Sequence, residues 1–164
     1  MTRGSMIAGA ALVAAVGLGG WMLTQGTGPT TGARTPAAPA TFDVAAGEAL
    51  YQTNCASCHG ANLEGQPDWQ SAGPDGLLPP PPHDETGHTW HHADNILFDY
   101  VKLGGEEVLK QQGIAFDSGM PGFGDQLTDA QIWDILSYIK STWPDRERAV
   151  QADRSAAAQK TQGN

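Results

Sequence analysis

The two cysteines of this 164-residue chain stand three positions apart, and a histidine follows at once: Cys55-Ala-Ser-Cys58-His59. Two thiols at that spacing can each form a thioether to one vinyl group of a porphyrin. The next residue then lies under the ring, where its imidazole can ligate iron. The chemistry predicted is therefore covalent attachment of haem c through Cys55 and Cys58, with His59 as the proximal iron ligand. A redox disulfide of the same spacing would be expected inside a βαβ pattern, and a structural zinc site would need further ligands at matched spacing. The sequence offers neither context.

A second axial ligand also has a candidate. Met1, Met6 and Met22 lie near the amino terminus, so Met120 is the one methionine between residues 42 and 145. It sits in Ser118-Gly-Met-Pro-Gly-Phe-Gly124, where small residues let the backbone approach a flat cofactor and Pro121 stiffens the turn. Iron held by His59 and Met120 has no open position for substrate, which leaves outer-sphere one-electron exchange. A thioether is the softer, weaker donor and favours the ferrous state. Leu63, Trp69, Leu97, Tyr100, Phe116, Phe123, Trp133 and Ile139 are candidates for an apolar shell that excludes water. No nucleophilic triad or paired carboxylates suggest an enzyme.

The remaining histidines cluster in His83-Asp-Glu-Thr-Gly-His88-Thr-Trp-His91-His92. One reading is a second metal site, with His88 and His92 one helical turn apart. The plainer reading gives one histidine to a haem propionate, one to a helix cap and the rest to solvent, with Asp84, Glu85 and Asp94 keeping imidazoles protonated.

The elements that must position these groups are helical. Asp43 is placed to cap a helix through Asn54, and Thr89 to cap a second from Trp90 to Leu103, closed by Gly104-Gly105. A short helix is expected over Glu106 to Gln112. Thr128-Asp-Ala-Gln131 reads as a capping box ahead of a stripe of Ile132, Ile135, Leu136, Ile139 and Trp143, ended by Pro144. No segment shows the alternation of a strand, so the fold class is all-α.

Around this body, four segments are expected. Residues 1–23 carry Arg3 and then 18 uncharged residues, Met6 to Leu23, the length of a transmembrane anchor or a long signal segment. Positive charge before the apolar run places the amino terminus in the cytoplasm and exports the rest of the chain. Residues 24–41 read as a flexible Pro/Gly/Thr/Ala linker, 42–145 as the folded domain, and 146–164 as a polar tail, frayed or weakly helical. The domain has Lys102, Lys110 and Lys140 against 16 acidic residues, a net charge of −13. Nucleic acid is excluded as a partner, because binding it needs clustered positive charge.

Taken together, residues 43–143 resemble a class I cytochrome c. Gly47 and Tyr51 resemble the family's amino-terminal glycine/aromatic pair, Cys55-Ala-Ser-Cys-His59-Gly60 its attachment site, Met120-Pro-Gly-Phe its methionine loop, and Ser137-Tyr-Ile139 its last helix. The resemblance implies about four helices around one covalent haem c, ligated by His59 and Met120, with first and last helices crossing at Gly47. It implies a proline carbonyl accepting a hydrogen bond from the proximal histidine; Pro74 and Pro79 to Pro82 are all candidates. The function implied is a one-electron carrier of a bacterial respiratory or photosynthetic chain, not an enzyme. It would be anchored in the inner membrane with the haem domain in the periplasm, and served by a quinol-oxidising complex, a dehydrogenase or a terminal oxidase. The alternative is a haem-based sensor or handler of ligands or copper, using His83 to His92 or a dissociable Met120.

Overall fold

The computed structural model describes residues 35–162. The expected anchor over residues 1–23 and the first part of the expected linker lie outside the described residues. Among those described, all regular structure is helical: α1 (Val44–Asn54), α2 (Ala56–His59), a 3₁₀ turn (Thr89–His91), α3 (Asp94–Leu103), α4 (Gly105–Gln111), α5 (Asp129–Ser141) and α6 (Asp145–Gln162). None of these helices is long and apolar enough to cross a membrane.

The core is organised by α1 against α5. Asp43 caps α1 as the sequence predicts, its carboxylate accepting from the Ala46 amide at 2.9 Å. The Asp43 amide in turn donates to the Asp134 carboxylate on α5 at 2.9 Å. Gly47 makes the crossing possible: a Cβ there would lie 2.0 Å from the Asp134 carbonyl oxygen. Both arms of the Thr128/Gln131 capping box are present, and all five members of the predicted α5 stripe are buried. Each such side chain contributes roughly 1.5–3 kcal/mol through its removal from water. Together they anchor the helix that receives α1.

Two elements differ from expectation. Thr89 does not start a continuous helix to Leu103. Its hydroxyl is spent on Pro82 and His83, the helix lasts a single 3₁₀ turn, and His92 is extended before α3 begins at Asp94. The segment after residue 145, expected to be frayed or weakly helical, is a regular 18-residue helix, α6. Glu147, Gln151 and Ser155 are buried along one side of it. The Gln151 amide donates to the Asp94 carboxylate at 2.7 Å, and the Ser155 hydroxyl accepts from the Asp94 amide at 3.0 Å. Ala93, at the start of α3, has no side chain able to cap, so α6 supplies that cap from outside. Within the expected linker, Thr35 donates to the Asp99 carboxylate of α3 at 3.0 Å.

Candidate haem-binding site

Helix α2 follows α1 with one residue between them. The amides of Cys58 and His59 both bond back to the Cys55 carbonyl, at 3.1 and 2.9 Å, which winds the cysteines and the histidine into one turn. Cys55, just ahead of α2, and Cys58 within it therefore stand about one helical turn apart. Both thiols are free; Cys58 is exposed and Cys55 half-buried. Burial, helped by the neighbouring Cys58, pushes the Cys55 thiol up to about 11, so it stays protonated at neutral pH. Gly60 ends α2, and its carbonyl accepts from the buried Tyr51 hydroxyl at 2.9 Å.

His59 is only 8% exposed. Its Nδ1 lies 2.9 Å from the Pro81 carbonyl, which can only accept, so Nδ1 carries the proton and Nε2 keeps its lone pair. Burial lowers the affinity of this imidazole for a second proton, partly opposed by the Pro81 bond. The result is a neutral, oriented ring with one free donor nitrogen, the state a metal-ligating histidine requires.

Of the prolines the sequence leaves open, Pro81 is the partner. Pro74 instead belongs to a surface turn closed by the Gly73 amide on the Leu77 carbonyl at 2.8 Å. The proline run is drawn under α2 by the Gln66 amide on Pro80 and the His83 amide on Leu63. Two glycines make room for it. Gly65 has a φ of +66°, and a Cβ on it would lie 2.4 Å from the Pro82 nitrogen; one on Gly87 would lie 2.0 Å from the Pro82 oxygen. A side chain at Gly65 would press on the Pro81–Pro82 backbone that holds His59, and one at Gly87 on the carbonyl of the next residue, Pro82.

The histidine cluster is dispersed. His83 is buried against His59, its ring 4.0 Å from that of His59 and within 24° of parallel. His88 stacks on Trp69, His91 on Trp90, and His92 lies near Tyr100. His88 and His92 do approach one another edge-on, with centroids 5.4 Å apart. Among the described residues no group of three or more His, Cys, Asp or Glu side chains is arranged to hold a metal ion. Burial lowers the pKa of His83, His88 and His92, which corrects the expectation that acidic neighbours keep them protonated. His88, which precedes the 3₁₀ turn, makes no side-chain capping bond.

Met120 lies in the irregular stretch between α4 and α5. This loop is held to the end of α3 and the start of α4 by backbone bonds: Phe123 to Val101 at 2.9 Å, Gly124 to Lys102 at 3.0 Å, and Gly105 to Met120 at 3.0 Å. The Met120 side chain is partly buried against the same core that Cys55 borders. Leu77 reaches this loop from the other side, 3.6 Å from where a Gly119 Cβ would sit. Of the shell candidates, Leu63, Leu97, Trp133 and Ile139 are buried, whereas Phe116 is 41% exposed. Leu78, Leu103 and Ile114 are also exposed large apolar residues, and with Phe116 all four fall between His59 and Met120. Two free thiols one helical turn apart, an imidazole with one free nitrogen, a thioether and apolar side chains facing outward fit a haem.

Residues 44–143 match the family model for cytochrome c. The chain belongs to the cytochrome c family. As a cytochrome c it carries covalently bound haem c, whose chemistry in this family is electron transfer, and Cys55 and Cys58 fit the attachment motif. The chain is also 28% identical over 100 residues to a protein of Sinorhizobium medicae (strain WSM419), the Cbb3-type cytochrome c oxidase subunit FixP. That stretch covers 61% of this cytochrome and 30% of the relative, so the chain spans about a third of the relative's length. No solved structure matches it.

Proposed function

We propose that this cytochrome is a one-electron carrier of a bacterial respiratory or photosynthetic chain. Cys55 and Cys58 hold the haem as thioethers, while His59 and Met120 are its axial ligands. Bound there, the haem supplies one-electron exchange between Fe(II) and Fe(III). The observation that carries the reading is the His59 ring, buried beside both thiols with its Nδ1 committed to Pro81 at 2.9 Å. That bond orients the ring and makes Nε2 the more basic donor. Met120 supplies a weaker donor from a loop that the backbone alone holds in place.

The acidic surface bears on partners. Two of the domain's three lysines are engaged by its own carboxylates, Lys102 with Asp129 at 2.6 Å and Lys140 with Asp94 at 2.7 Å. A partner face that is basic or mainly apolar suits this surface. The similarity to a subunit of an oxidase supports a terminal oxidase as acceptor, with a quinol-oxidising complex or a dehydrogenase as donor. The run of 18 uncharged residues before the domain supports attachment to the inner membrane, with the haem domain in the periplasm.

The test is spectroscopic. The reduced pyridine haemochrome of the purified protein should report two thioether links, and the Cys55→Ala/Cys58→Ala variant should yield no covalent haem. The ferric protein at neutral pH should show the weak long-wavelength band of methionine–iron charge transfer, and Met120→Ala should lose it. Retention of that band in Met120→Ala would remove Met120 from the site. Alkaline washing of membranes tests the anchor: release of the full-length protein into the wash would refute it.

A further inference from the structure

A single hydrogen bond does not fix a ring. The Pro81 carbonyl sets the direction of one edge of His59, but the imidazole can still tilt about the Nδ1–oxygen line. His83 removes that freedom. Its ring lies face to face with His59, centroids 4.0 Å apart and planes within 24°. An edge and a face together define a plane.

His83 is itself held at three points. Its Nδ1 is 2.8 Å from the Thr89 hydroxyl, which reaches on to the Pro82 carbonyl at 3.4 Å. Its amide donates to the Leu63 carbonyl at 2.8 Å. Its carbonyl accepts from the indole nitrogen of Trp143 at 2.6 Å, and Trp143 closes the buried stripe of α5 at the junction with α6. The Tyr51 ring, which anchors α1, meets the His83 ring edge-on at 6.3 Å. A residue present only to fill volume would be aliphatic or phenyl, since an imidazole costs free energy to remove from water. The proline loop, α1 and the α5–α6 junction all converge on this one ring.

We infer that His83 is a positioning residue for His59: stacked on its face and locked by Thr89 and Trp143, it sets the plane of the proximal imidazole. The inference rests on the reading of His59 as an axial ligand. With haem bound, that plane would help set, together with the orientation of the Met120 thioether, which d orbital of low-spin ferric iron holds the unpaired electron. It is therefore read directly in the anisotropy of the electron paramagnetic resonance g values and in the spread of the haem-methyl proton shifts. Neither quantity responds to stability alone.

The experiment compares full-length ferric wild type with His83→Ala, His83→Phe and Thr89→Val, each first checked for covalent haem and for the methionine–iron band. Wild type should give one low-spin species and one set of widely spread methyl shifts. His83→Ala should keep the band yet show altered g values, or more than one species, with the methyl spread narrowed. Thr89→Val, which removes only the hydroxyl that locks His83, should move the same signals in the same sense by less, and it carries the test if His83→Ala does not fold. His83→Phe restores a flat stacking surface and should return towards wild type. Wild-type g values and methyl shifts in Thr89→Val, or in His83→Ala with the band intact, would overturn the role of His83 while leaving His59 as ligand. A wild-type protein whose proximal ligand is not histidine would overturn both.

Discussion

The two sides of the haem site are built in opposite ways. On the His59 side, the functional ring is buried, one nitrogen is bonded to Pro81, a second imidazole covers its face, and two glycines clear space for the loop that does the holding. On the Met120 side, the residue sits in a loop without regular structure, fastened by backbone bonds to the end of α3 and the start of α4, and Ile114 and Phe116 in that loop are 47% and 41% exposed. The first side is rigid because many packed groups would have to move together. The second can open locally, since few buried contacts oppose it. On the ligation proposed above, the stronger, orienting ligand would stand where the structure is over-determined, and the weaker one where it can let go.

That contrast can be broken by substitutions on each side. Gly65→Val should have the largest effect, at least about 3 kcal/mol by denaturant unfolding together with poor haem incorporation, because a β-branched residue must both adopt a left-handed φ and displace the Pro81–Pro82 backbone. Trp143→Phe keeps the ring but orphans the His83 carbonyl; about 1–2 kcal/mol is expected, seen as a lowered denaturation midpoint. Met120→Ala should cost about 1 kcal/mol of stability, less than a fully buried methionine would, while abolishing the long-wavelength band and lowering the potential. A cost as large as that of Gly65→Val would show that the methionine loop is as tightly built as the other side.

Smaller effects sharpen the same comparison. Burial holds the pKa of His92 below its ordinary 6.5, with His88, His91 and Arg154 adding to the effect. The unfolded chain therefore takes up this proton at a higher pH than the folded one. Its contribution to stability is complete above about pH 6.5 and declines as the pH falls below it. His92→Gln should flatten that acid-side decline in thermal scans from about pH 8 to about pH 5.

What could be read from the sequence divides along physical lines. Signals that repeat at helical spacing or cap a helix locally were legible: Asp43, the Thr128/Gln131 box and the α5 stripe all stand where the pattern predicts. The attachment motif was legible because Cys55, Cys58 and His59 are close in sequence as well as in space. The choice of Pro81 over its neighbours was not, because it depends on how Gly65 and Gly87 seat the loop. Helix α6 escaped for a different reason. Its buried side is Glu147, Gln151 and Ser155, and a search for apolar periodicity cannot see a helix that docks through polar bonds. The break after Thr89 was hidden likewise: a good capping residue had a better use for its hydroxyl.

The crossing of α1 over α5 has a consequence for how the chain acquires its shape. The bond from Asp43 to Asp134 joins residues 91 positions apart. Closing a flexible loop of that length costs about 4 kcal/mol of chain entropy, and nothing nearer in sequence can take the place of α5 against Gly47. As the chain emerges amino end first, α1 and the two thiols exist for the whole interval in which their partner helix does not. Cys55 and Cys58 are thus accessible on an open chain long before the domain can close, and contacts this distant in sequence make closure the slow, late event. The order of synthesis gives the attachment chemistry its opportunity.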